Sequence, residues 1–310
     1  MIHGLDVSRL DHATLRIAAG AAITLGGQLV VLRERLDLPI ADGTTTQRLD
    51  RELGLSRTPR ELARRGTGVY ALLARPIEYT ANPIGLYPTS IEERRAPQDG
   101  ELIEAVAFSL VPYHDPAIDV EPARQRAALA RRLFVENATP GMPVEAVPLA
   151  LVQLERGFVR WADPWLVRRE IGDAYDGMGA QRRGPRAIAE AHVQQYQAQL
   201  AEVIAASALP GSQPLFAASD EFAALPPAGL YPAVALDTTG RTDRFFPPSM
   251  PVQLQVVPYD ELATIVDEAL AMPPIDLAAD PRQLAGTPVT VLVGLDRATV
   301  DTMAPRFRSF

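Results

Sequence analysis

The chain of 310 residues has no cysteine. Disulfides, thiolate metal sites and cysteine nucleophiles are therefore excluded. It also has no lysine: all 30 basic side chains are arginine. A GC-biased genome accounts for this, and arginine also suits bidentate pairs at interfaces. The balance is acidic, with a net charge of -8 and a pI near 5.1, which argues against non-specific nucleic-acid binding. Long apolar runs are missing too. One uncharged run, Ile17 to Leu32, falls short of the roughly 20 residues a membrane span needs and is interrupted by Gly20, Gly26 and Gly27. No membrane insertion is expected. Met1 is followed by His3, Asp6 and Arg9 with no apolar core, so no signal peptide is expected and synthesis is cytoplasmic.

Catalytic patterns are equally scarce. The four histidines, His3, His12, His114 and His192, show no spacing that would put two on one helix face. His114, Asp115 and Asp119 come nearest to a metal cluster but read as a polar loop ahead of a helix. There is no nucleophile elbow and no phosphate loop. The glycine-rich stretch Gly172 to Gly184, with Arg182 and Arg183, could cradle an anion at a helix start. It lacks the strand–helix–strand setting and reads better as an ordinary loop. No pair among the 38 acidic residues stands out as a glycosidase dyad. No catalytic, cofactor-binding or metal-binding residue is assigned, and a non-enzymatic role without cofactors is expected.

What is present is proline, 28 residues, about twice the usual share. Proline fixes φ and donates no hydrogen bond, so these residues mark ordered turns between short elements. Alternation predicts strands over 13–17, 22–25, 69–74, 104–111, 144–154 and 289–295, with a tight hairpin at Gly26-Gly27. The first 40 residues read as one small antiparallel sheet with a wet face. A short helix is expected near Arg48 to Leu53. Apolar stripes predict longer helices over 121–136, 185–207 and 259–272. In the first, Ala123, Ala127, Ala130, Leu133 and Phe134 form the stripe and the arginines point away. The fold class is α+β: several short, mostly antiparallel sheets with two or three packed helices. The expected divisions are residues 1–40, 41–184 and 185–310.

The stretch from Phe222 to Tyr259 concentrates proline and aromatics around Pro226-Pro227 and Pro247-Pro248. Tyr231, Phe245, Phe246 and Met250 are expected to lie on adjoining ordered loops that make a protein–protein contact, or to cap an internal sheet. In the second long helix, Val193, Tyr196 and Leu200 form a short heptad seam facing other protein, within the chain or on a partner. Trp161 and Trp165 in WADPW could anchor an interface, stack on a sugar, or fill a core edge. An internal echo is visible. Gly85-Leu86-Tyr87-Pro88 recurs as Gly229-Leu230-Tyr231-Pro232, and each copy is followed by Val-Pro-Tyr, at 111–113 and 257–259. A duplicated β-plus-helix unit would produce this, and so would convergence of proline–aromatic turns.

Three segments taken in order carry a resemblance. They are ATLRIAAGAAITLGGQLVVL near the amino terminus, then GVYALLARPIEYTANPIG, then FAALPPAGLYP followed by RFFPPSMPVQLQVVPYDELATIVDEAL. Over about residues 10–295 the chain resembles bacterial proteins that accompany contractile phage-tail-like injection particles and phage baseplates. The resemblance implies a structural or accessory part of a tail, baseplate or fibre attachment. Its partners would be other tail or baseplate proteins, with self-association inside the assembly. A carbohydrate- or receptor-binding module, or an enzyme with an unrecognised site, are the alternatives the residues leave open.

Overall fold

A computed structural model describes residues 1–40, 67–81, 84–85, 97–98, 101–116, 118, 120–139, 141–169, 186–207, 216–231 and 245–300. The chain is α+β and divides into two compact units, each drawn from two separate stretches. Unit 1 is Met1–Asp115 with Gly141–Ile171; unit 2 is Pro116–Pro140 with Gly172–Phe310. This differs from the expected division into 1–40, 41–184 and 185–310. The helix expected near Arg48 to Leu53 and the glycine-rich loop Gly172 to Gly184 lie outside the described residues.

Unit 1 begins with six short strands, β1 (His3–Gly4), β2 (Val7–Arg9), β3 (Thr14–Ile17), β4 (Gly20–Ile23), β5 (Leu29–Leu32) and β6 (Leu36–Pro39). They form two antiparallel sheets, β1-β4-β5 and β2-β3-β6, where one was expected. The chain crosses between the sheets at a tight point. A Cβ on Gly20 would lie 2.3 Å from the Leu5 nitrogen, and one on Gly4 would lie 2.1 Å from the Ala19 carbonyl oxygen. Only glycine fits at that distance. Leu5, next to Gly4, takes a left-handed φ of 58°, an unusual conformation for a leucine, and its side chain is fully buried.

The larger sheet of unit 1 follows. The strands are β7 (Gly68–Ala81), the two-residue ladder β8 (Ile84–Gly85) with β9 (Pro97–Gln98), then β10 (Glu101–Pro112), β11 (Val147–Glu155) and β12 (Phe158–Asp163). The four long strands are antiparallel in the order β10-β7-β11-β12. β7 is central and Val69 to Ala74 are all buried, as expected of a strand covered on both faces. Pro148 sits where the β11–β7 register shifts, because proline cannot supply the ladder's N–H. Arg156 and Gly157 both have positive φ and join β11 to β12 in a two-residue hairpin. The β4–β5 loop, expected to be equally tight, instead runs Thr24 to Gln28, tied by Thr24 N–H to the Gln28 carbonyl at 2.9 Å and by the Gln28 amide to Thr24 Oγ1 at 3.0 Å. One apolar core joins Leu5, Leu15 and Ile17 of the amino-terminal sheets to Leu72, Leu149 and Val152 of the large sheet. Residues 1–40 are therefore part of unit 1's core and not a separate subdomain.

Unit 2 contains a 3₁₀ turn (Pro122–Arg124) leading into α1 (Gln125–Phe134), then α2 (Arg186–Ser207), the single turn α3 (Ala218–Glu221), β13 (Ala224–Leu225), β14 (Ala228–Gly229), β15 (Val252–Pro258), α4 (Tyr259–Ala269), β16 (Ile275–Asp276), α5 (Pro281–Ala285) and β17 (Val289–Leu295). Pro226-Pro227 links β13, paired antiparallel with β16, to β14, paired parallel with β17. The double proline thus hands the chain from one sheet to another. β15 also runs parallel to β17, with α4 between them in sequence. That is a strand–helix–strand crossover, the connection parallel pairing demands. The two copies of Val-Pro-Tyr lie in unlike settings. Val111-Pro112 ends a strand in an antiparallel ladder; Val257-Pro258 ends a parallel strand that runs straight into α4.

Candidate functional site

The middle of unit 2 is organised by α2. Its seam Val193, Tyr196 and Leu200 is buried against the unit's own core, as the heptad spacing predicts for an internal face. Ala218, Phe222, Leu225, Phe245 and Phe246 share the cluster with Tyr196 and Leu200. The rings meet at tilted or edge-on angles: Tyr196 with Phe222 at 5.0 Å, Tyr231 with Phe246 at 5.2 Å and Phe245 with Phe246 at 5.0 Å between centroids. Such pairs contribute beyond their buried area. The Phe222–Tyr231 and Phe245–Met250 stretches therefore do adjoin, but with their rings turned inward. Phe245 has no exposed surface, and Phe246, Met250 and Tyr231 are all buried. The exposed protein–protein contact expected of Tyr231, Phe245, Phe246 and Met250 is corrected: these side chains are core. Tyr231 donates its hydroxyl proton to the Pro226 carbonyl, which ties the ring to the proline hinge.

The other expected anchors lie in unit 1. Trp161 on β12 is buried, and Trp165 is half-buried with the Arg168 guanidinium 5.5 Å from its ring centroid. Between them Asp163 is fully buried and accepts the Trp165 amide proton at 3.0 Å. Arg168 donates to Asp6 at 2.8 Å. Burial lowers the Arg169 guanidinium to about 10, and it donates to the carbonyls of Trp165 and Arg168 at 2.8 and 2.6 Å. WADPW is thus a structural corner held by arginines, the packing alternative of the sequence reading. Trp161 offers no open face for a sugar.

Beside the α2 seam runs a row of buried polar groups, His192, Gln195 and Gln199. Gln195 donates to Gln199 at 2.6 Å, and Gln199 donates to the Glu221 carbonyl at 2.6 Å. Sequence reasoning treated the neighbouring apolar residues as the whole face. The signal it passed over is spacing: 192, 195 and 199 follow the same three-four rhythm as 193, 196 and 200. His192 stacks on Phe134 of α1, ring centroids 4.8 Å apart at 26°. Its Nε2 is buried with no hydrogen-bond partner among the described residues, and the Ala224 backbone carbonyl favours a proton on the ring. With Nε2 unpartnered, the Ala224 carbonyl is assigned to Nδ1. Burial lowers the imidazole to about 4, against the small opposing effect of the Ala224 carbonyl. The ring is neutral at physiological pH, with Nε2 an acceptor.

His192 lines a cavity of about 410 Å³ that lies wholly in unit 2. Buried Phe134, Val193, Pro226 and Pro227 form its inner part, and exposed Asn137, Met272 and Gln283 stand at its rim. Asp276 is in the wall, bound by both oxygens to Arg131 of α1 at 2.8 and 2.7 Å. Burial alone would raise the Asp276 carboxyl, but the Arg131 and Ala278 hydrogen bonds outweigh it and the carboxyl is lowered. Arg126, expected on the outer face of α1, is buried and donates to Glu202 of α2 at 2.7 Å.

A second apolar feature lies on unit 1. In the β4–β5 hairpin Ile23 pairs across with Leu29, and Ala21 with Val31. Ile23, Leu29 and Val31 are exposed, and Leu25 in the loop is 80% exposed. Val144, whose carbonyl accepts the Gly26 amide proton at 3.2 Å, adds another exposed side chain.

Among the described residues no cluster of three or more His, Asp or Glu could hold a metal ion, and no helix is long and apolar enough to cross a membrane. His114 is exposed, and Asp119 lies outside the described residues. Comparison with protein-family models, with curated proteins and with solved structures finds no match.

Proposed function

We propose that the chain is a non-enzymatic structural or accessory component of a contractile phage-tail-like particle, working through contacts with other tail or baseplate proteins. The observation that supports this reading best is the outward face of the β4–β5 hairpin. Ile23, Leu25, Leu29 and Val31 leave apolar side chains exposed on four neighbouring positions, with Val144 beside the loop. Isolated exposed apolar residues are ordinary, but a contiguous group is typical of a surface that another protein covers. Among the described residues β5 is moreover the end strand of its sheet, with no strand paired to its outer backbone edge. The order of the three motif segments, of which the first contains this same hairpin, points the same way. Localisation follows the role: made in the cytoplasm and built into the particle.

The test is incorporation. Particles purified by sedimentation from a strain carrying the tagged chain should contain it. Leu25→Asp combined with Leu29→Asp should leave the purified protein folded and exclude it from particles. Wild-type protein found wholly outside the particle fraction would sink the proposal, as would full incorporation of the double variant.

A further inference from the structure

We propose that the cavity of unit 2 is a binding site for an uncharged, largely apolar small molecule carrying one hydrogen-bond donor, which His192 accepts at Nε2. This goes beyond the assembly role and does not depend on it. The volume, about 410 Å³, lies in the range of pockets that take small organic ligands. The walls set the character of the ligand. Phe134, Val193, Pro226 and Pro227 are buried and apolar, and the two prolines cannot donate a backbone hydrogen bond.

Charge is not what this cavity reads. Asp276 and His192 are the only ionisable groups among its described lining residues. Both oxygens of Asp276 are already occupied by Arg131, so the carboxylate is committed. No cationic side chain is among the described lining residues to attract an anion. Of the neutral polar side chains in the lining, Asn137 and Gln283 are exposed at the rim and Thr287 donates to the Gln283 carbonyl, so the buried one is the imidazole. The Ala224 carbonyl is assigned to Nδ1, which places the proton there and leaves Nε2 as the acceptor. A buried acceptor with no partner is costly, and a ligand O–H or N–H would relieve that cost. Nε2 is covered in this conformation, so the cavity wall must move before the donor reaches it.

The probes are 2-naphthol and 2-methoxynaphthalene, which share the ring system and differ in the donor, titrated into the full chain by calorimetry. The naphthol should bind more tightly by roughly 5- to 10-fold, the range one buried hydrogen bond supplies. His192→Phe keeps a stacking ring and removes the acceptor. In that variant the preference should fall to about 1-fold while the methoxy compound still binds. A second readout uses the wild type alone and so does not depend on the variant folding. The imidazole nitrogen resonances of His192 should shift at Nε2 on addition of 2-naphthol and not of the methoxy compound. Failure of both probes to bind, equal affinity for the two in the wild type, or an unmoved His192 resonance with naphthol bound would each overturn the proposal.

Discussion

The Pro-rich aromatic stretches of unit 2 and the β4–β5 hairpin of unit 1 are made from similar ingredients: apolar side chains, a turn, short strands. Their fates are opposite. Tyr231, Phe245, Phe246 and Met250 are folded into their own unit's core, whereas Ile23, Leu25, Leu29 and Val31 stay outside. The prolines account for part of the difference. Pro226-Pro227 switches the chain between two sheets and so aims Tyr231 back toward α2. The β4–β5 loop performs no such switch. It returns the chain along the strand it left, and the side chains of Ile23, Leu29 and Val31 stay exposed. Density of aromatics and proline is thus a poor guide to a contact surface, because a large ring is also what a small core most needs.

The strongest way to break this comparison is Phe245→Ala. If the ring is core, the isolated protein should lose about 3–5 kcal/mol, read by urea unfolding. A loss under about 1 kcal/mol would return Phe245 to the surface. The next effect is on pH. The folded-state value for His192, about 4, lies below the ordinary 6.5, so the native state binds fewer protons than the unfolded state between these values. Stability should be intact above about pH 6.5, decline as the pH falls toward 4, and lose about 3 kcal/mol in all. His192→Phe should remove that part of the decline, and an unchanged pH profile would show that the ring is not buried as described.

Smaller effects sharpen the picture of unit 1. Gly20→Ala sets a Cβ against backbone at the crossing of the two amino-terminal sheets and should cost about 1–3 kcal/mol. Gly294→Ala is a useful contrast in unit 2. Its Cβ would meet the Tyr259 ring at 2.6 Å, but that ring is 63% exposed and can swing away, so the melting temperature should move less than for Gly20→Ala. The smallest stability effect is expected for Leu29→Asp. On an exposed face it should change unfolding free energy by no more than about 0.5 kcal/mol, with its consequence confined to assembly. A large loss there would mean that Leu29 is packed after all.

Much of the element inventory was legible in the chain itself. Alternation located β3, β7, β10, β11 and β17, and the three-four rhythm located α1, α2 and α4, because periodicity is a local consequence of backbone geometry. Pro226-Pro227 announced an ordered turn for the same reason: its restriction on φ travels with the residue. The heptad seam of α2 marked an inward face, and the face is inward. Only the tertiary structure decided the partners. That β15 and β17 run parallel, that the first six strands split into two sheets, and that units 1 and 2 are each discontinuous depend on pairings between distant residues. The same holds for the site. His192 is an unremarkable residue in a helix until Phe134, Pro226 and Ala224, brought from other parts of the chain, bury its ring and engage one nitrogen. Burial is a property of what lies across the fold, and no spacing along α2 records it.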